Sequence, residues 1–251
     1  MSLVVPAVLP SSLQDLKEKI ALLGSISSVD RIQIDVVDGR FATPASWPYV
    51  APRTKSDLVR DRPADELDDM VERSEMLPRL DRIEYEIDLM CLDMAAAAAK
   101  WLALGAVRLT FHAEAATDLP RLLASARKQF GAGADFAPGL ISFGLALNIG
   151  SDLALIEACV GEIDYVQFMG ISTIGRQGQP FDRRVFEKLR VFHGRHPDIP
   201  VQVDGGVSLT YAKQLVACGA SKLVVGSNIL KAADPAAVIA AFEDLQGSFG
   251  V

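Results

Sequence analysis

The sequence predicts an α/β protein of the (β/α)8 TIM-barrel class, and three observations carry the prediction. Short β-branched or apolar runs alternate with amphipathic helix-like stretches along the chain. Eight such runs can be counted, which favours a closed parallel ring. Near the carboxyl end, Val201-Gln202-Val203-Asp204-Gly205-Gly206-Val207 and Leu223-Val224-Val225-Gly226-Ser227-Asn228 are consecutive strand patterns that stop in glycine, with the helix pattern Leu209–Cys218 between them. Glycines there let backbone N–H groups approach an anion, the arrangement of a phosphate site after strands 7 and 8 of a barrel. Alternation alone leaves an open doubly wound sheet as the other arrangement.

Taken in order, the strand patterns are Leu3–Val8, Ile32–Val36, Arg82–Leu89, Val107–His112, Ser142–Leu147, Tyr165–Phe168, Val201–Val203 and Leu223–Val225. Ser11 or Ser12 can cap a first helix running to Leu23, with Gly24 as its stop. Further helices are expected at Leu92–Leu104, Leu119–Phe130, Leu153–Val160, Phe181–Arg195, Leu209–Cys218 and Pro235–Leu245. The stretch Ala42–Asp81 breaks the rhythm. It holds Pro44, Pro48, Pro52, Pro63 and Pro78, is dense in charge from Arg53 onward, and has room for a helix around Asp65–Arg73. It reads as a charged insertion in a single domain spanning 1–251: a solvated surface excursion, or else a lid or subunit contact.

Composition narrows the function. Of 251 residues, half are hydrophobic, so a large core is available. A net charge of −7 argues against nucleic acid or an anionic membrane as partner. Three scattered cysteines, Cys91, Cys159 and Cys218, make neither a disulfide framework nor a zinc site. Met1-Ser2-Leu3 does not open a basic n-region with an apolar stretch, so no signal peptide is expected and the cytoplasm is the expected location.

Alternate residues on a strand share a face, and here one face is polar on nearly every strand. Gln33 and Asp35 share a face on strand 2; Glu84, Glu86 and Asp88 on strand 3; Thr110, His112 and Glu114 on strand 4. Asn148 ends strand 5, Gln167 lies on strand 6, and Gln202 and Asp204 end strand 7. An interior filled only for stability would be aliphatic, so this pattern reads as an active-site mouth. Asp35 and Asp204 should face each other across it, with Asp88 also pointing in. Three converging carboxylates repel, which calls for a cation among them or for a proton held on one. His112 suits an acid, a base, a ligand or a hydrogen-bonded wall residue. No lysine ends a strand, which argues against a Schiff-base aldolase.

With these residues in view, the chain resembles the ribulose-phosphate 3-epimerase family. The likeness is carried by Ile32-Gln33-Ile34-Asp35-Val36-Val37-Asp38-Gly39-Arg40-Phe41, Ile87-Asp88-Leu89-Met90, Phe111-His112-Ala113-Glu114, Leu147-Asn148, Phe168-Met169, the loop Gly175–Phe181, Val203-Asp204-Gly205-Gly206-Val207 and Val225-Gly226-Ser227. The resemblance implies a ribulose-phosphate-binding type of barrel. It also implies two acids, Asp35 and Asp204, working from opposite faces of a sugar beside one divalent metal. The family's two metal-binding histidines fall at Gln33 and Asp88, a substrate-contacting serine at Ala7, and the methionine of strand 2 at Val37; that of strand 6 is kept as Met169. The glycine loop after strand 6 is altered to Gly175-Arg176-Gln177-Gly178-Gln179.

The expected function is therefore an epimerase acting on a small phosphorylated ketose by two-aspartate proton transfer. Another phosphosugar isomerase or lyase on the same barrel, or a non-catalytic phosphosugar-binding relative, are the alternatives. Asp35 and Asp204 are the expected catalytic residues. Gly178, Gly205, Gly206, Gly226, Ser227, Met169, His112 and Asn148 are the expected substrate and phosphate contacts. Gln33, Asp35, Asp88 and Asp204 are the candidate metal ligands, an all-oxygen set that suits magnesium or manganese rather than zinc or iron, if it holds a metal at all. A homo-oligomer is expected.

Overall fold

The computed structural model describes residues 2–50, 63–130 and 140–247. Eight parallel strands close into one barrel in chain order: β1 Val4–Val8, β2 Arg31–Val37, β3 Glu84–Met90, β4 Arg108–His112, β5 Ser142–Leu147, β6 Tyr165–Met169, β7 Val201–Asp204 and β8 Lys222–Val225. The helices are α1 Leu13–Gly24, α2 Pro63–Glu72, α3 Met94–Ala103, α4 Leu119–Phe130, α5 Ala154–Glu157, α6 Val185–Arg195, α7 Leu209–Ala217, the short α8 Ser227–Leu230 and α9 Pro235–Gly247. Closure is set by β1, which pairs with β2 on one side and β8 on the other, so no strand edge is left open.

Among the boundaries that differ from expectation, two have evident local reasons. The Ser12 side chain caps α1 by accepting from the Asp15 N–H at 3.1 Å, but Gly24 is the last helical residue rather than the stop. The site where its side chain would begin lies 3.1 Å from both Arg79 Cδ and Ile83 Cδ1, so glycine there permits close packing of the next crossover. The pattern Leu153–Val160 splits into the single turn α5 and a 3₁₀ turn at Val160–Glu162.

The described parts of 42–81 are not a solvated excursion. Trp47, Leu67, Met70 and Leu77 are buried, and Trp47 meets Trp101 of α3 edge-on with ring centroids 5.9 Å apart. Its indole N–H donates to Glu66 of α2 at 2.7 Å. α2 occupies the helical position between β2 and β3, so this stretch contains the barrel's own crossover. Its prolines and charges hide that role from a reading of periodicity. Residues 51–62, where the charged run begins, lie outside the described residues.

The side chains pointing outward from the strands, among them Ile32, Ile34, Ile87, Leu109 and Val203, pack against the helices in one continuous apolar layer. The inward residues are polar through much of the barrel: Gln33, Glu86, Asp88, Thr110, His112, Gln167 and Gln202 are all buried there. Among the described residues, no helix is long and apolar enough to cross a membrane.

Candidate active site

The site is assembled by strand register. Along β2 and β3, Asp35 pairs with Asp88, and between β6 and β7, Met169 pairs with Asp204. Asp35, Asp88 and Asp204 each offer an oxygen such that the three lie within 4.8 Å of one another. Such crowding of carboxylates needs compensation, and the first compensation is N–H donors. Gln33 Nε2 donates to Asp35 Oδ1 at 2.8 Å and to Asp204 Oδ2 at 3.0 Å. Gln167 Nε2 donates to Asp88 Oδ2 at 2.9 Å. His112 Nε2 lies 3.0 Å from Asp88 Oδ1.

These bonds divide the three acids. Both oxygens of Asp88 are engaged, and the residue is wholly buried. Asp35 and Asp204 are each engaged through one oxygen, and both open into a cavity at the carboxyl ends of the strands. The cavity is also lined by Met90, Met169 and Ile171 on its apolar side and by Gly178, Gly205, Gly206, Gly226 and Ser227.

Electrostatics follow from this packing. Burial, then the neighbouring charges of Asp204 and Asp88, raise the Asp35 pKa well above the usual carboxylate range. Burial and the Asp88 charge push that of Asp204 up to about 7, against a lowering by the Gln33 hydrogen bond. Burial disfavours charge on His112, but the Asp88 carboxylate and its hydrogen bond outweigh it, and the imidazole pKa is raised. At neutral pH the Asp35–Asp204 pair thus shares protons that isolated carboxylates would have lost.

The donor set fits a hard divalent cation. Asp35, Asp88 and Asp204 could hold one between them, and Gln33 Oε1 is a buried acceptor without a partner. No imidazole joins the set, because His112 turns its Nε2 to Asp88. All-oxygen surroundings suit magnesium, manganese or calcium better than zinc.

The glycine turns form the other end of the cavity. Gly206 sits at φ +66°, and a Cβ there would lie 2.8 Å from the Phe181 Cα. At Gly226 a Cβ would lie 2.6 Å from Gln177 Nε2. The Gln177 side chain reaches across this turn toward the Ala7 carbonyl, 3.4 Å away. Gln177 lines the cavity and was not among the contacts expected from sequence. Nothing in local periodicity marks it, since it lies outside the strands and helices.

Of the expected residues, Asp35, Asp204, Met169, Gly178, Gly205, Gly206, Gly226 and Ser227 line one cavity. His112 and Asn148 do not line it. His112 is fully buried, where it holds Asp88 and meets the Phe41 ring, with centroids 5.3 Å apart. The Asn148 N–H donates to Glu114 Oε1 at 2.8 Å, and its carbonyl accepts from Lys188 Nζ at 2.6 Å. Ser46, within the proline-rich stretch, was also missed: its Oγ accepts from the Val37 N–H at 2.9 Å and donates to the Asp35 carbonyl at 3.2 Å, fixing the strand end that carries Asp35.

Comparison with known proteins bears on this geometry. The model of the "Ribulose-phosphate 3 epimerase family" matches residues 70–230, a span that includes Asp88 and Asp204 and leaves out β2. A ribulose-phosphate 3-epimerase of Aquifex aeolicus is 34% identical over 95 residues, 36% of this chain and 42% of that protein. One from Mycobacterium leprae is 26% identical over 250 residues, 98% of this chain and 96% of that protein. Among the first curated relatives the match spans 42 to 62% of their own lengths. Among solved structures, 3-keto-L-gulonate-6-phosphate decarboxylase from Vibrio cholerae matches with TM-score 0.65 and 15% identity over 100% of this chain and 99% of that one, a likeness of fold.

Proposed function

The chain belongs to the ribulose-phosphate 3 epimerase family, and from that premise we propose that it epimerises a small phosphorylated ketose at the carbon beside the carbonyl. One observation carries the reading: Asp35 and Asp204 open into the same cavity from strands three steps apart on the ring, tied to one nitrogen of Gln33. Inversion requires a proton to leave one face of a carbon and return to the other, so two groups must flank it. One aspartate takes the proton as carboxylate while the other gives one as acid. The roles exchange in the reverse direction. Raised pKa values on both keep a proton available near neutral pH.

The phosphate would rest against the amides at Gly205-Gly206 and Gly226-Ser227, with Gly178 and the Gln177 amide closing over it. Met90, Met169 and Ile171 would pack on the sugar and exclude water. A magnesium or manganese ion, when bound, would be held by Asp35, Asp88 and Asp204, and would supply positive charge for the enediolate oxygen. The chain's own residues orient the acids whether or not the ion is present.

The test is incubation in heavy water with a panel of phosphorylated ketoses, followed by NMR. Deuterium at the carbon beside the carbonyl, together with the inverted epimer, is expected for one of them. Deuterium without inversion would indicate a one-base isomerase, and binding without exchange would indicate a binding protein.

A further inference from the structure

Beneath the three acids the barrel holds a second polar layer that the proton transfer itself does not use. Its anchor is Glu86 on β3, wholly buried. Arg108 Nε donates to Glu86 Oε2 at 3.0 Å, and its guanidinium lies 4.1 Å over the Tyr165 ring. Thr110 Oγ1 donates to Glu86 Oε1 at 3.2 Å and lies 2.8 Å from the Tyr165 hydroxyl. The Tyr165 ring fits because residue 144 is glycine: a Cβ there would stand 2.2 Å from the ring. Gln202 Nε2 donates to the same Glu86 Oε1 and also to Gln167 Oε1, the latter at 2.7 Å. Gln167 Nε2 then faces Asp88 Oδ2 at 2.9 Å and, more loosely, Asp204 Oδ2 at 3.4 Å.

This chain of bonds has a fixed polarity. An amide's two ends are told apart only by their partners. Arginine donates and never accepts, so Glu86 faces the layer as an acceptor. Gln202 must therefore turn its NH₂ toward Glu86. That NH₂ also occupies the Gln167 oxygen, which leaves the Gln167 NH₂ to face Asp88 and Asp204. A flipped Gln167 would put its oxygen against the Asp88 carboxylate and its NH₂ against the Gln202 NH₂, leaving buried groups unpaired.

We propose that Glu86 and Gln202 are positioning residues for the Asp35–Asp204 pair, acting by locking the Gln167 amide with its N–H bonds toward Asp88 and Asp204. The proposal deepens the two-acid reading and rests on it for its effect on turnover. Neither Glu86 nor Gln202 lines the cavity, so their influence passes through Gln167.

The decisive variant reverses the polarity without changing charge or size: Glu86→Gln combined with Gln202→Glu. Position 202 then only accepts, and the Gln167 NH₂ must turn to it. Neutron diffraction from deuterated crystals reads the amide directly. In the unmodified protein the Gln167 deuterons should point to Asp88 and Asp204; in the double variant they should point to position 202. With the substrate found in heavy water, kcat should fall about 100-fold at unchanged KM. Gln202→Met serves if the double variant does not fold. It should lower kcat about 10-fold, the order of one lost hydrogen bond, and adding Gln167→Met should lower it little further, because both act through one amide. Deuterons of Gln167 directed at Gln202 in the unmodified protein would overturn the proposal. So would a folded double variant, or Gln202→Met, with normal kcat. Deuterons placed as expected in a protein that turns over no phosphoketose would uphold the lock and remove the epimerase reading instead.

Discussion

Asp35 and Asp204, carried by strands on different sides of the barrel, accept hydrogen bonds from the same nitrogen of Gln33 at 2.8 and 3.0 Å. One neutral amide thus bridges the two acids. Its hydrogen bonds lower the pKa of both acids, but burial and the neighbouring carboxylates outweigh them, and both values are raised.

Stability should fall as pH rises across neutrality. Asp204 holds its proton to about pH 7 when folded, against an ordinary 3.8. The folded state therefore binds more protons than the unfolded state between those values. The contribution is fully present below the lower value and is lost as pH passes through the higher. Asp35 is raised in the same direction. Urea unfolding at pH 5.5 and 8 with a chelator present should show lower stability at pH 8, and Asp204→Asn should flatten the difference. Equal stability in the unmodified protein at both values would contradict the assigned burial and repulsion.

Zinc and iron should be absent as stoichiometric components. Three carboxylates and an amide form the donor set, and His112 is committed to Asp88. Elemental analysis of protein purified without chelator checks this. One equivalent of zinc lost on Asp88→Ala would contradict it, whereas stimulation of chelator-treated protein by magnesium or manganese agrees with it.

Gly206→Ala should cost about 1–3 kcal/mol of stability, because it forces a side chain into a left-handed backbone and against the Phe181 Cα at 2.8 Å. It should also weaken binding of inorganic phosphate, measured by calorimetry on the folded fraction. Unchanged phosphate affinity would move the anion site away from this turn.

Much of this architecture was legible because strand patterning and chain order suffice to specify a barrel. Seven of the eight strands shift by one or two residues at an end, and β5 matches at both. The proline-rich stretch was misread because α2 buries Leu67 and Met70 within a sequence dominated by acids. At the site, Asp35, Asp88 and Asp204 were legible from period-2 alternation. What alternation cannot supply is depth and partner. It left His112 open between a functional group and a hydrogen-bonded wall residue, and the structure buries it on Asp88 rather than among the cavity's lining residues. It also marked Gln167 and Gln202 as inward without showing that they bond each other.

The most direct test of two-acid catalysis asks each acid to work alone. Asp35→Asn and Asp204→Asn should each lower epimerisation by roughly 10²–10⁴-fold with little effect on folding, since asparagine is nearly isosteric and relieves repulsion. Each variant should still exchange the proton of one epimer with heavy water, and the two variants should favour opposite epimers, because each retains the acid on one face only. That crossed pattern, read by NMR on the purified epimers, is what the account predicts. Exchange of both epimers by either variant, or near-normal turnover by one of them, would contradict it.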